Sequence, residues 1–462
     1  MKKILLNLTV TVIFLLSIMT SCRKGYLDIK PDQALLVPQT IADLQALLNN
    51  TSIMNIGPGL QVLATDEFHI PTAANLATLN SLQRNAYIWA KDIYEGGTCV
   101  DWNGPYQAVF YANIVLDALD KLPVTVTNRS SWETTKGRAL FFRAMAFHQL
   151  LNQFSAPYSS TTAGSLPGIP LKLSSDVNER PGRGTIAMVN EQVIKDLETS
   201  VSLLPDQPDP SSLTRPYRLA AWALLSRVYL INGEYTKAGD CADLVLRSKP
   251  DLLDLNTLSP SSTRPISFNT AAASEVIFWY YMTSYAFASS TILGVHPDIV
   301  NSYQLNDLRK TIFLRDRGNG IYTFKGNYSG DVYFFTGLAT DELYLNRAEA
   351  YARRNEIGLA MADLNTLRKK RFSNKITYEP LSAGTQQEAI DLVLAERKKE
   401  LLTRGARWTD LRRLNLDQQR ATVIKRILDN SVVYELSPGD KRYVFPIPQN
   451  ELDGSGIAQN ER

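Results

Sequence analysis

The chain has 462 residues, with 49 Lys and Arg against 46 Asp and Glu and a formal net charge of +3. Removing residues 1–21, which carry Lys2 and Lys3 and no acid, leaves 441 residues at +1. Neither a nucleic-acid binder nor a protein held to a membrane by charge is expected, since both need a basic surplus. Apolar residues make up 44% and charged residues 21%, ordinary globular usage that excludes disordered and collagen-like classes. The length allows two to three domains or one large body.

Lys2 and Lys3 open the chain, the apolar run Ile4–Met19 comes next, and Thr20-Ser21-Cys22 closes it. A positive start, a short apolar stretch and small residues before a cut site predict a secretory signal over residues 1–21. The run is broken by Asn7, Thr9, Thr11 and Ser17 and is too short for a spanning helix. Cleavage before Cys22 resembles processing at a bacterial lipobox, although Met19 stands where Leu is usual. Cys22 is then the expected lipid-attachment site and membrane anchor, since two or more acyl chains hold stably. An oxidising compartment permits a disulfide between the remaining Cys99 and Cys241, but two cysteines make no framework. Cys241 lies in a helical apolar pattern and is expected as a buried free thiol. His69, His148 and His296 are far apart in sequence, and no spacing suits a metal site.

Helical periodicity dominates the rest of the chain. Helices are predicted over Trp102–Leu119, Lys136–Phe154 and Val189–Leu204, the last stopped by Pro205. Leu204–Arg218, with Pro205, Pro208, Pro210 and Pro216, is a loop. Leu219–Asn232 and Tyr235–Ser248 form a helix hairpin through Asn232-Gly233. The hairpin recurs: Tyr229, Ala238 and Val245 match Tyr351, Ala360 and Leu367 at a constant offset of 122 residues. Small residues at a helix crossing are the packing logic of tetratricopeptide-like pairs. Two long excursions interrupt the helices. Thr51–Asp101 is rich in Asn, Thr, Gly and aromatics. Leu252–Phe335 holds β-like runs at Val276–Tyr281 and Gly320–Phe324. Such excursions are functional or disordered, and their aromatic content argues for order.

Glu396 and Glu400 share a helix face and imitate the paired carboxylates of a glycosidase. Arg397, Lys399, Arg404 and Arg407 on the same segment would keep both acids ionised, whereas a general acid needs a raised pKa. An ion-pair network around Trp408 is therefore expected, and the same holds for Glu349 with Arg347 and Arg353. No nucleophilic triad can be composed, and no catalytic residue is assigned. Carbohydrate recognition uses flat aromatics against the apolar sugar face and Asn, Asp and Arg at its hydroxyl rim. The first excursion offers Trp89, Trp102 and Asn103 with Asp66 and Arg84; the second offers Trp279, Tyr280 and Tyr285. Each aromatic also has a core reading: Trp102 begins an apolar helix, and Trp279 comes directly after the strand-like Glu275–Phe278. Trp132, Trp222 and Trp408 fall on apolar helix faces and are expected in the core.

From Cys22-Arg-Lys-Gly-Tyr-Leu-Asp28 to Gln459-Asn460 the chain resembles the SusD/RagB family of outer-membrane nutrient-binding lipoproteins. The pieces, in order, include Trp102-Asn-Gly-Pro-Tyr106, Ala112-Asn113, Gly137–Ala144 and Gly168-Ile-Pro-Leu171. Further along stand Arg227-Val-Tyr-Leu230, Asp341–Tyr351, Glu396-Arg397 with Glu400-Leu401, Gly405–Leu411 and Phe445-Pro-Ile-Pro448. The resemblance implies an all-α fold of tetratricopeptide-like helix pairs with a second, irregular, loop-rich subdomain carrying short β segments. Residues 22–250 and 251–462 would be N- and C-terminal regions packed as one body. It implies a non-catalytic, cofactor-free protein that captures an oligosaccharide beside a SusC-like TonB-dependent outer-membrane channel. By the same resemblance the ligand site draws on both excursions. Arg23-Lys24 departs from the acidic run that many surface-exposed members carry after the lipidated cysteine. A secreted enzyme acting on polysaccharide and a helical-repeat adaptor without a small ligand are the alternatives from other classes.

Overall fold

A computed structural model describes residues 38–209, 212–326, 328–331 and 333–462. The signal segment and Cys22 lie outside the described residues. Among the described residues, ten helices of eight residues or more form the body: α1 (Ile41–Leu48), α2 (Val100–Leu119), α3 (Arg129–Phe154), α4 (Ile186–Leu203), α5 (Arg218–Ile231), α6 (Tyr235–Ser248), α7 (Thr340–Arg353), α8 (Ile357–Lys369), α9 (Gln386–Glu400) and α10 (Ala406–Leu414). From α2 to α8 each helix packs on the next in chain order, and α9 closes on α7. The result is the all-α, tetratricopeptide-like stack that the resemblance implies.

The 122-residue repeat is visible atom by atom. Gly233 and Asn355 occupy equivalent turn positions at φ +78° and +63°. Glu234 N–H donates to Tyr229 O and Glu356 N–H to Tyr351 O, both at 2.9 Å, while Gly233 reaches Leu230 O and Asn355 reaches Ala352 O. These paired bonds are the Schellman closure of a helix C-terminus, which needs a left-handed residue and tolerates Gly or Asn there. The α6–α7 crossing is close because Gly239 has no side chain: a Cβ there would lie 2.7 Å from that of Ala350.

Two predicted boundaries change. Helix α3 begins seven residues before Lys136, where Ser130, Ser131 and Thr134 hide the apolar period. The Glu396–Asp410 stretch is two helices, because Thr403 and Gly405 sit at φ +63° and +75° and turn the chain between α9 and α10.

The two excursions pair with each other through short strands. β1 (Ile56–Gly57) runs parallel to β6 (Tyr281–Met282), and β2 (Phe68–His69) antiparallel to β7 (Gly294–Val295). The second pairing brings His69 and His296, distant in sequence, to 5.9 Å between ring centres. The other strands are β3 (Pro167–Pro170) with β4 (Arg183–Thr185), β5 (Val276–Phe278) with β10 (Leu338–Ala339), β8 (Leu314–Asp316) with β9 (Tyr322–Phe324), and β11 (Ile424–Leu428) with β12 (Ser431–Leu436). Among the described residues no helix is long and apolar enough to cross a membrane.

A lattice of buried ion pairs ties helices to excursions. Arg309, fully buried, meets Asp307 at 2.6 Å, Glu396 at 2.5 Å and Glu400 at 2.8 Å, and Arg371 bridges Glu400 to Glu275. Arg413 holds Glu349 and Asp410, which also takes Arg397. Such pairs are costly to desolvate and very costly to break singly, so they fix geometry more than they add stability. Cys99 and Cys241 are buried free thiols.

Candidate functional site

Each aromatic proposed as a sugar platform can now be located. Trp89 is 2% exposed, its indole N–H donates to Ala64 O at 2.9 Å, and the Arg426 guanidinium lies 4.4 Å from its ring. Trp102, also 2% exposed, packs 4.9 Å from both Tyr106 and Phe154. Trp279 is fully buried between Phe268 and Tyr281. Tyr280 is buried with its hydroxyl within 3.0 Å of Ile56 O and Gln149 Oε1. A sugar stacks only on an accessible ring face, so as an exposed platform these four are corrected to core. Trp408 is core as expected, while Trp132 and Trp222 are half-buried against it.

The polar candidates divide. Asp66 is held by Arg407 at 2.6 Å and Lys398 at 2.8 Å. Although burial opposes it, these two cations keep its carboxyl far below the usual range. Tyr285, half-buried, donates its hydroxyl to Asp101 at 2.8 Å. Asp101 also accepts from Gly59 N–H, Leu60 N–H and Gln153, so Tyr285 belongs to the joint between the excursions. Asn103 is exposed on the first turn of α2, and Arg84 is half-buried on Ser81–Tyr87. Of the predicted residues, Tyr280 and Tyr285 bond across the two excursions, and Asn103 alone of the eight is fully at the surface.

Glu396, one of the paired carboxylates, behaves as the sequence suggested. Burial raises Glu396, but Arg309, Lys399 and Arg368 outweigh it and leave the carboxyl well below its ordinary range. Glu349 is likewise brought down to about 2 by Arg413 and Arg353. Neither can serve as a proton donor near neutral pH. A cleft lined by His148, Gln149, Arg227, Glu342 and Trp408 encloses only about 70 Å³. Burial pushes His148 down to about 3, so its imidazole stays neutral. Among the described residues no group of three or more His, Cys, Asp or Glu could hold a metal ion.

An open groove lies instead on the second excursion, built by the β8–β9 hairpin. Its tight turn uses Gly318, Asn319 and Gly320, all at positive φ. Cross-strand partners Leu314↔Phe324, Arg315↔Thr323 and Asp316↔Tyr322 fix the register. Leu314 and Thr323 point inward, while Arg315 and Tyr322 are half-buried at the rim. One recess of about 530 Å³ is lined by Ser261, Ser262, Lys310, Thr311, Arg315 and Tyr322. A second of about 150 Å³, lined by Arg264, Ser289, Ser290, Arg317, Phe324 and Asp331, shares Arg315 and Lys325 with it. Lys310 lies 5.8 Å from the Tyr322 ring. Lys325 donates to Pro260 O at 2.7 Å and Thr311 O at 2.6 Å, and Arg317 to Thr323 Oγ1 at 2.9 Å. The groove thus combines hydroxyls, fixed cations and an aromatic rim. A different cavity of about 450 Å³ lies beside the C-terminal segment, walled by Leu166, Pro167, Leu416 and Val444. Sequence reasoning missed the groove, yet it left a signal. Residues 309–325 hold five Lys and Arg against the single acid Asp316.

Known proteins share this outline. A family model described as starch-binding and associating with the outer membrane matches residues 25–230, and the SusD family model matches residues 340–461. Together they span more than two thirds of the chain. SusD-like protein P2 of Formosa agariphila is 23% identical over 381 residues, 69% of this chain and 72% of that protein. A SusD superfamily protein from Bacteroides thetaiotaomicron superposes with a TM-score of 0.71 at 22% identity, over 92% of this chain and all of the other. A SusD-like carbohydrate binding protein from Bacteroides vulgatus gives 0.66 at 18% identity, over 90% and 97% of the two chains.

Proposed function

The chain belongs to the SusD/RagB family, and from that premise we propose that it is a non-catalytic glycan-binding protein of the outer membrane. Its task is to capture an oligosaccharide in the β8–β9 groove and hand it to a SusC-like TonB-dependent channel. Lipid attachment at Cys22 anchors it at the cell surface. The observation that carries the reading is the groove itself, an open trough with serine and threonine hydroxyls along its walls and Tyr322 at its rim. Hydroxyl-lined, aromatic-rimmed concavities suit a ligand with an apolar face and a polar edge. Binding without catalysis is supported by Glu349 and Glu396, which neighbouring cations lock in the ionised form.

Affinity electrophoresis of the purified protein through gels containing single polysaccharides tests the binding step. Retardation by at least one polysaccharide, reduced by Tyr322→Ala, is expected. Normal migration with every polysaccharide refutes capture, and release of new reducing ends shows an enzyme instead. Partnership with the channel predicts that a detergent extract yields both proteins in one gel-filtration peak; a peak of the free protein alone refutes it.

A further inference from the structure

Elsewhere in this protein, buried or half-buried guanidinium groups are usually matched with carboxylates: Arg143 with Asp196, Arg227 with Glu342, Arg347 with Asp363, Arg404 with Asp341. The β8–β9 groove breaks that pattern. Arg264, Lys310, Arg315, Arg317 and Lys325 line it together with the acids Asp316 and Asp331, the latter with interactions of its own, and no ion pair of the five cations is seen among the described residues. The cations are also held in place. Lys325 is tethered to two carbonyls, Arg317 to a threonine, and Lys310 sits over Tyr322. Asp316 is engaged by the Gly318 N–H at 2.8 Å and by the Tyr322 hydroxyl, which leaves it poorly placed to neutralise Arg315.

We propose that this groove selects anionic glycans, whose sugars carry carboxylate or sulfate groups, with Arg264 and Arg315 reading the charge. The inference rests on the glycan-capture reading and adds the class of ligand. An excess of fixed positive charge inside a concave, low-dielectric wall focuses the field and favours an anion there. Arginine is the residue best matched to carboxylate or sulfate, which it can engage with two parallel hydrogen bonds. Arg315 borders both recesses, so an anionic group at the junction can meet it while neighbouring sugar units lie on either side, one of them against Tyr322. Burial, and next the charge of Arg315, push the Lys325 ammonium below its ordinary range. An anion between these two would relieve that crowding.

The test uses gels of polygalacturonate, the same polymer after carboxyl reduction, a sulfated galactan, a neutral β-glucan and polyglutamate. The first and third gels separate carboxylate from sulfate as the group recognised. Retardation by either is expected, weakening as salt rises from about 0.05 to about 0.5 M because screening shortens the reach of charge. Arg315→Gln should weaken binding about ten-fold, or about 1.4 kcal/mol, and Arg264→Gln with Arg315→Gln should abolish it. The side chains of Arg264 and Arg315 carry no ion pair among the described residues, so melting temperature should not move and loss of binding is not loss of fold. Equal retardation by the carboxyl-reduced polymer, or by the neutral glucan alone, overturns the anionic class and leaves glycan capture standing. Equal retardation by polyglutamate overturns sugar recognition at the groove. Failure to bind any polysaccharide overturns this inference together with the reading beneath it.

Discussion

Trp102→Ala separates a core tryptophan from a ligand platform. The indole is 2% exposed and wedged against Tyr106 and Phe154. Truncating a buried aromatic to alanine costs about 3–5 kcal/mol, lost burial and cavity together. Unfolding entropy is about 2.1 cal/mol/K per residue, so the roughly 420 described residues give about 0.9 kcal/mol/K. A cooperative transition should therefore fall by about 3–6 °C. Tyr322→Ala, at the rim of the groove, should fall by no more than about 1 °C, since half-exposed sites away from the core change stability by about 0.5 kcal/mol. Differential scanning fluorimetry and affinity electrophoresis on the same samples give both readouts. The expected result is a double dissociation, with Trp102→Ala melting early and binding normally and Tyr322→Ala doing the reverse. Trp102→Ala that melts within about 1 °C of the parent and loses glycan retardation would refute the assignment of this ring to the core.

Other perturbations probe the frame. Glu349→Ala strands Arg353 and leaves Arg413 with Asp410 alone, and urea denaturation should show a loss of about 3–5 kcal/mol, as expected for breaking one member of a buried pair; a loss below about 1 kcal/mol contradicts the lattice. Burial raises Glu67 from 4.5 to about 7. Its neutral form favours the fold fully below pH 4.5, and that contribution is lost as pH rises through 7. Glu67→Gln should accordingly flatten the fall in melting temperature between about pH 4.5 and about pH 8, and a curve parallel to the parent's contradicts it. Gly337→Ala would set a Cβ 2.1 Å from Phe278 O, so β5 and β10 must separate; soluble expression at parental yield with an unchanged melting temperature counts against this contact.

The helical scaffold was legible because its signals are local. A 3.6-residue period and a left-handed turn residue belong to the segment that uses them, and Tyr229, Ala238 and Val245 with Tyr351, Ala360 and Leu367 announced two copies of one hairpin. The lattice was legible for a similar reason, since Glu396 and Arg397 lie close to their partners Lys399 and Asp410. The excursions obey no period. Whether Trp89 faces solvent or core depends on Arg426, more than three hundred residues later, and whether Trp279 stacks on sugar depends on Phe268 and Tyr281 already covering it. The β11–β12 hairpin also went unread, although Asp429 and Asn430, at φ +50° and +63°, are suited to its tight turn. The groove was legible only as charge: the basic bias of residues 309–325 was present, but its meaning required seeing which cations lack a carboxylate partner.

Arg426 also bears on the order in which the molecule can be made. Buried on β11, it donates to Leu63 O at 2.8 Å, Thr65 O at 2.9 Å and Tyr87 O at 3.0 Å, and it lies over the rings of Tyr87 and Trp89. Until this side chain arrives those carbonyls have no such donor, and contacts across so long a stretch of chain form slowly. Translation from the N-terminus therefore reaches the keystone of the first excursion last. A chain truncated before Ile424 would keep its helix hairpins yet leave that excursion unfinished. The fold is in this sense deferred until synthesis is almost complete.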